Sequence, residues 1–424
     1  MAGILGYDRS SPSEAVFRIN LFTAVVLIVF GLLTGGNPGT AVNGLWTVWI
    51  SPAALITDYT VIGGISGGFL NAGLSMLLAV VCIRMSGAEF GGLSFGTCFI
   101  VAGFALFGKS VPNMIPIVLG SWIYGKLIGV PFSRTVFPGL LATCMGPFVT
   151  FTALNAPGPL AVRLILAVLV GIMIGMLSLI CAPVTARVHN GYTLFNIGMI
   201  TGFIGTLLVS IMKNFGMEFA PLSTWSLDND QWMLILIGGL CVLFILTGMF
   251  MGGLSDYKDI FKHSGKNGTD YVRLVGLPAS LINMGIMGIM AMAYILIVGG
   301  HLSGPVCAGV LTIIGFAAFG MNPYNVVFLW IGIILMSFVS IWSLNDQAIL
   351  LAAVFVPCLC GITGDFGPFW GIAAGIFHVS LVRNTASNFG WLDLYNNGYA
   401  AGLVTIILLP LIEYVNKLRG KDNK

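Results

Sequence analysis

Residues 394–403 read LYNNGYAAGL, and two hundred positions earlier residues 194–203 read LFNIGMITGF. Each carries leucine, an aromatic residue, asparagine and a Gly-x-x-x-Gly spacing. Either stretch alone signals close helix packing, because small residues let membrane helices approach where lipid supplies no hydrophobic drive. Together they suggest a duplicated chain. Further matches confirm the duplication. GGFLNAGL (67–74) aligns with ASLINMGI (279–286), setting Asn71 opposite Asn283 at an offset of 212. GFALFG (103–108) and GFAAFG (315–320) keep that offset of 212, as do Asn113 with Asn325 and Gly120 with Gly332. LTG recurs at Leu33 and Leu246, 213 apart, whereas the terminal phrase stands at 200, so the second copy has lost about a dozen residues before it. A register held this long defines an internal repeat.

Composition fixes the class. Of 424 residues, 57% are hydrophobic and 8% charged, against roughly 25% charged in ordinary soluble domains. Apolar runs of membrane-crossing length recur along the chain and are continuous, unlike the alternating segments of a β-barrel. The eight cysteines lie in or beside these runs without metal-ligand spacing and read as small packing residues. The polar start MAGILGYDRSSPSEAVFR is unlike a cleavable leader. The predicted fold is an all-α polytopic membrane protein.

Seven apolar segments fall in each copy: 15–34, 61–84, 92–107, 111–129, 134–153, 160–184 and 193–213, then 232–252, 271–298, 303–319, 323–342, 346–364, 366–382 and 395–416. An odd number per copy inverts the second relative to the first. The expected organisation is a first repeat over 1–213, an external linker over 214–231 and an inverted second repeat over 232–424. Charge points the same way. With both termini in the cytoplasm, fourteen Lys and Arg fall inside and only Lys109, Arg163, Lys213 and Arg383 outside. The Gly-rich segments 92–107 and 303–319 are short enough to be broken or re-entrant. One re-entrant segment per copy would leave six crossings, and two would restore the inversion.

Paired short segments in inverted repeats form a transport architecture with a midplane site. Candidate solute contacts are Asn71 and Asn283, mid-segment and symmetric, with Asn196, Asn396 and Asn397 at the starts of the GxxxG segments. Interhelical hydrogen bonding and capping are the plainer roles for these side chains. Phe104 and Phe316, with Phe107 and Phe319, are either core or a gate. Asp365, in GITGDFGPFWG, and His378, in GIAAGIFHVSLV, lack ionisable counterparts in the first copy and are candidate sodium or proton sites. Asp58, Glu89, His301 and Asp346 read as interfacial, and Lys109 as a loop lysine opposite Met321.

These duplicated NAGL, GFALFG and LYNNG elements resemble an uncharacterised family of bacterial membrane proteins, a domain of unknown function, over nearly the whole chain. The resemblance implies no reaction or substrate. The segment count is similar to uracil-permease-type transporters, and the Gly, Phe and Asn content to urea channels. The expectation is a secondary transporter of a small polar solute in the bacterial inner membrane, coupled to Na⁺ or H⁺, with a passive urea-like channel as the alternative. No cofactor, metal or nucleic acid is expected. HExxH is missing, as is a carboxylate pair at helical spacing within an apolar segment, against an enzyme. Lipid and a second copy of the chain are the expected macroscopic partners.

Overall fold

The computed structural model describes residues 11–419. The polar N-terminal stretch through Arg9, and Lys421 and Lys424 of the charge asymmetry, lie outside them. The first half comprises α1 (Ser13–Thr34), α2 (Pro38–Ile50), α3 (Gly64–Ser86), α4 (Gly92–Phe104), α5 (Val111–Leu127), α6 (Phe132–Asn155), α7 (Leu160–Val188) and α8 (Asn196–Lys213). The second comprises α9 (Asp230–Phe250), α10 (Leu277–Ile297), α11 (Gly304–Phe316), α12 (Pro323–Ser337), α13 (Gln347–Phe366), α14 (Pro368–Thr385) and α15 (Asn396–Leu418). Among the described residues, nine helices are long and apolar enough to cross a membrane. Each of the fourteen apolar segments is centred on one of these helices, with single helical turns at Tyr59–Ile62 and Tyr271–Leu274 ahead of α3 and α10, and α2 is the addition.

Helix α2 lies in what reads as a loop from 35 to 60. Asn37 caps it by accepting the Thr40 amide at 2.9 Å, with Pro38 at the first helical position. Its Ala41, Leu45 and Val48 face α3, where Gly44 and Gly67 leave no room for a Cβ. The linker is strapped down as well. Leu222 and Thr224 exchange backbone hydrogen bonds with Leu55 and Ile56.

Helices α6 and α13 are broken at equivalent places by one 3-10 turn each, Thr143–Met145 and Val356–Leu359. Pro147 and Pro357 cannot supply an amide to a continuous ladder. The missing dozen residues of the second copy are found next. α7 has 29 residues and follows a loop, whereas α14 has 18 and follows α13 after Gly367 alone.

The two short helices form the centre. As residue number rises along α4 it falls along α11: Gly92 meets Ala318, Gly96 meets Gly315, Gly103 meets Ala308 and Leu106 meets Gly304. The pair is antiparallel, and the contacts exchange under the repeat offset. A Cβ on Gly103 would stand 2.6 Å from the Ala308 carbonyl oxygen. Helices α8 and α15 cross where Gly198 and Gly398 face each other, each leaving 2.9 Å between a built Cβ and the other's Cα. Around this centre, α13 has 83% of its most apolar window buried and α7 only 33%, its Leu164, Ile165 and Leu169 facing outward.

Candidate functional site

The asparagines hold the ends of the short helices. Asn71, fully buried on α3, donates to the carbonyls of Ala105 at 2.7 Å and Lys109 at 2.8 Å, and accepts the Trp49 indole N–H at 3.0 Å. Asn283 on α10 repeats this on Ala317 at 2.7 Å and Met321 at 2.8 Å. The next turns are also built alike. Asn113 Oδ1 accepts the Ser110 amide at 2.9 Å while its Nδ2 donates to the Gly108 carbonyl at 3.0 Å. Asn325 does the same with Asn322 at 2.8 Å and Gly320 at 2.8 Å. Backbone amides of the following turn close the last carbonyls of α4 and α11, and the asparagine side chains take up the carbonyls of that turn.

Their N-terminal ends are held by the opposite half. Asp58 accepts the Gly304 amide that opens α11 at 3.0 Å, the Ser226 amide at 3.0 Å, and both the amide and hydroxyl of Thr60 at 2.9 and 2.6 Å. Asp270 accepts the Gly92 amide that opens α4 at 3.0 Å and the Arg273 amide at 3.2 Å. Burial pushes both carboxyls, which sit in connecting segments, above their ordinary value, and these hydrogen bonds pull the other way. Sequence reading placed Asp58 at an interface and passed over Asp270. Their offset of 212 was the available signal.

Between these ends runs a chain of aromatic rings. Phe107 packs on Phe104 at 5.4 Å, Phe104 on Tyr395 at 5.1 Å and Tyr395 on Phe195 at 5.2 Å. Phe195 then packs on Phe316 at 5.2 Å and Phe316 on Phe319 at 6.4 Å. The order is palindromic under the repeat, since 107 pairs with 319, 104 with 316 and 195 with 395. All six rings are buried.

A cavity lies at each end. One, of about 280 Å³, is bounded by Phe107, Ile56, Leu351, Leu394, Asn396 and Asn397, with Arg383 at its rim. The other, of about 300 Å³, is bounded by Phe319, Gly268, Phe137, Glu89, Asp270 and Arg273. Phe107 and Ile56 are the repeat counterparts of Phe319 and Gly268. Because α4 starts at the second cavity and ends beside the first, the two cavities sit at opposite ends of the α4/α11 pair. We call the end with Asp58 face B and the end with Asp270 face A.

The remaining candidates are placed as follows. Asn396 accepts the Thr385 hydroxyl at 2.5 Å and donates to Val382 at 2.9 Å, while Asn196 accepts the Thr185 hydroxyl at 2.8 Å and donates to Ala182 at 3.4 Å. Asn397 turns its Oδ1 to no hydrogen-bond donor among the described residues and lies at the face-B cavity. Its counterpart is Ile197. His378 is buried on α14 with Nε2 3.3 Å from the Asn397 carbonyl oxygen. Asp365 is exposed at the end of α13, near Tyr192. It does not meet His378. Sequence reading took Lys109 for a loop residue, but it is fully buried, and so is Asp393, which was not singled out.

Among the described residues no group of His, Cys, Asp or Glu is arranged to hold a metal ion. Nine apolar helices of membrane-crossing length among the described residues define a multi-pass α-helical membrane protein. The chain belongs to the family described as protein of unknown function (DUF1576), whose model matches twice, over residues 37–214 and 250–414. The starts of the two matches differ by 213 and their ends by 200, the offsets of the repeat. Comparison with curated proteins and with solved structures finds no match.

Proposed function

We propose that the protein is a secondary transporter of a small polar solute, working by alternating access between two inverted repeats. The observation that carries this reading is the palindromic aromatic chain joining two equivalent cavities at opposite ends of an antiparallel helix pair. A path closed in the middle and symmetric about its closure is what inverted repeats give when neither side is open. Phe104 and Phe316 are the gate in this reading, and Asn396 and Asn397 the polar contacts on the face-B side. Asn71 and Asn283 fix the helix ends around which the path would open, and touch solute only in a state where their carbonyl bonds are exchanged.

In this reading face A is the cytoplasmic face of a bacterial inner membrane, with both termini there, and the excess of Lys and Arg toward that face supports it. Arg84, Lys126, Arg134, Arg187, Lys266 and Arg273 belong to that face, and Arg163, Lys213 and Arg383 to face B. The face-B cavity has Arg383 as its charged residue, and the face-A cavity has Glu89 and Asp270 paired with Arg273, so neither presents a cluster of one sign, which favours a neutral or weakly charged solute.

The test is thermal stabilisation of the purified protein by nucleobases, amides, amino acids and small carboxylates, with and without sodium, followed by uptake into liposomes. A solute at about 100 times its dissociation constant adds roughly 2.7 kcal/mol of stability. Saturable uptake of a stabilising solute supports the transporter. Non-saturable flux at one rate in both directions favours a urea-like channel. No uptake of any panel member contradicts both.

A further inference from the structure

The aromatic chain is symmetric, but what lies behind it is not. Lys109, in the turn after α4, is fully buried with its ammonium 5.3 Å from the centre of the Phe104 ring. Its Nζ has no hydrogen-bond partner among the described residues. Asp393, just before α15, is fully buried too, and one of its oxygens accepts the Tyr395 amide at 2.9 Å. The carboxylate lies against Cys144 at the break in α6 and Thr201 of α8, whose sulfur and hydroxyl are 3.6 Å apart. Lys109 and Asp393 act on each other and on Cys144, and the remaining titratable neighbours are Tyr395 and, across the α13 break, Cys358.

The repeat places Met321 opposite Lys109 at 212 and Thr193 opposite Asp393 at 200. Both charges are therefore present on the face-B side and both absent on the other. Two buried charges of opposite sign with no salt bridge between them are weak evidence for stability, since an apolar pair of similar size often serves as well. The other half is that apolar or neutral alternative, in the same fold. Ionisable residues at this depth point to ion or proton handling. Phe107 and Leu394, which bound the face-B cavity, stand within two residues of the pair.

We propose that Lys109 and Asp393 form a proton-binding site that couples the transport cycle to the pH gradient; this rests on the transporter reading. In the resting pair the ammonium and carboxylate cancel. One proton arriving through the face-B cavity adds to the free oxygen of Asp393 and leaves the Lys109 ammonium as the only charge, held against Phe104. Departure of that proton restores the neutral pair. Because Phe104 and Tyr395 are neighbours in the aromatic chain, the charge of the site changes where the path is closed.

Two measurements test this on the full-length protein. The first needs no solute: infrared difference spectra between acidic and neutral buffer, which detect protonation of a buried carboxyl. The account expects a carboxyl component that survives Asp365→Asn and Asp58→Asn/Asp270→Asn and is missing from the double variant Lys109→Met/Asp393→Thr, which copies the other half and avoids a lone buried charge. An unchanged band in the double variant overturns the proposal whether or not the protein transports. The second uses liposomes with an inward pH gradient of about one unit and uracil or urea as probes. One proton per solute supports up to about tenfold accumulation in the wild type. The double variant should exchange the probe without concentrating it, and tenfold accumulation by that variant also overturns the proposal. If the wild type moves no probe, the transporter reading fails while the infrared result still decides the site.

Discussion

Asp58 Oδ2 accepts the backbone amide of Gly304 at 3.0 Å, so a carboxylate of the first half closes the N-terminal end of a helix in the second. Asp270 returns the contact at Gly92, also at 3.0 Å. Helix N-termini favour negative charge, and here the charge comes across the interface between the halves. Each face of the molecule is thereby latched by one such carboxylate.

The latches give stability a pH dependence. Both carboxyls are raised above 3.8 by burial, so the folded protein holds protons that the unfolded chain has released. Their contribution is full below about 3.8 and is lost as pH rises through the raised values. The melting temperature of Asp58→Asn/Asp270→Asn should change less than that of the wild type between about pH 4 and 7. Parallel profiles would remove these two groups from the account.

Asn71→Ala leaves two carbonyls and the Trp49 indole without their partner, and Asn283→Ala leaves two carbonyls. Each orphaned buried group costs roughly 1–3 kcal/mol. Denaturation of the purified variants should rank Asn71→Ala below Asn283→Ala, and both below wild type. Equal stability of all three would mean these hydrogen bonds are not what holds the short helices.

Glycines at the two central crossings admit no side chain. Gly103→Val drives a branched group into the Ala308 backbone and Gly198→Val into Gly398, where backbone rather than a flexible side chain must yield. Losses of about 3 kcal/mol are expected from overpacking. Gly239→Ala, on α9 with nothing within 4 Å of the added methyl, should instead gain up to about 1 kcal/mol from helix propensity. A melting-temperature series of the three variants checks the order.

How much of this was legible in the sequence depends on the kind of signal. Apolar runs leave a one-dimensional pattern, so each of the fourteen segments could be read, and nine of their helices among the described residues are long enough to cross a membrane. Helix α2 could not, because PGTAVNGLWTVWI is only 13 residues long and sits between turn signals. The symmetry of Asn71 and Asn283 was visible, but the carbonyls they hold lie 34 and 38 residues further on, in helices whose packing no local pattern encodes. Lys109 and Asp393 belong to different copies. Only comparing both with Met321 and Thr193 shows that the two charges come and go together.

The aromatic gate predicts a leak. Phe104→Ala or Phe316→Ala breaks the ring chain at one of its inner members, so urea should enter liposomes faster than with wild type. Phe99→Ala, equally buried on α4 but packed on Phe95 and Phe244 outside that chain, should leave urea entry unchanged. A leak of the same size in all three variants would point to general loosening of the core.

The central claim is that the two cavities open to opposite sides of the membrane. Single cysteines at Ser223, beside the face-B cavity, and at Glu89, beside the face-A cavity, test it in a background without the two partly exposed native cysteines, Cys82 and Cys181. In right-side-out vesicles a membrane-impermeant maleimide should label Ser223→Cys at once and Glu89→Cys only after permeabilisation. Labelling of both from the same side would contradict the inverted arrangement and the two-sided path built on it.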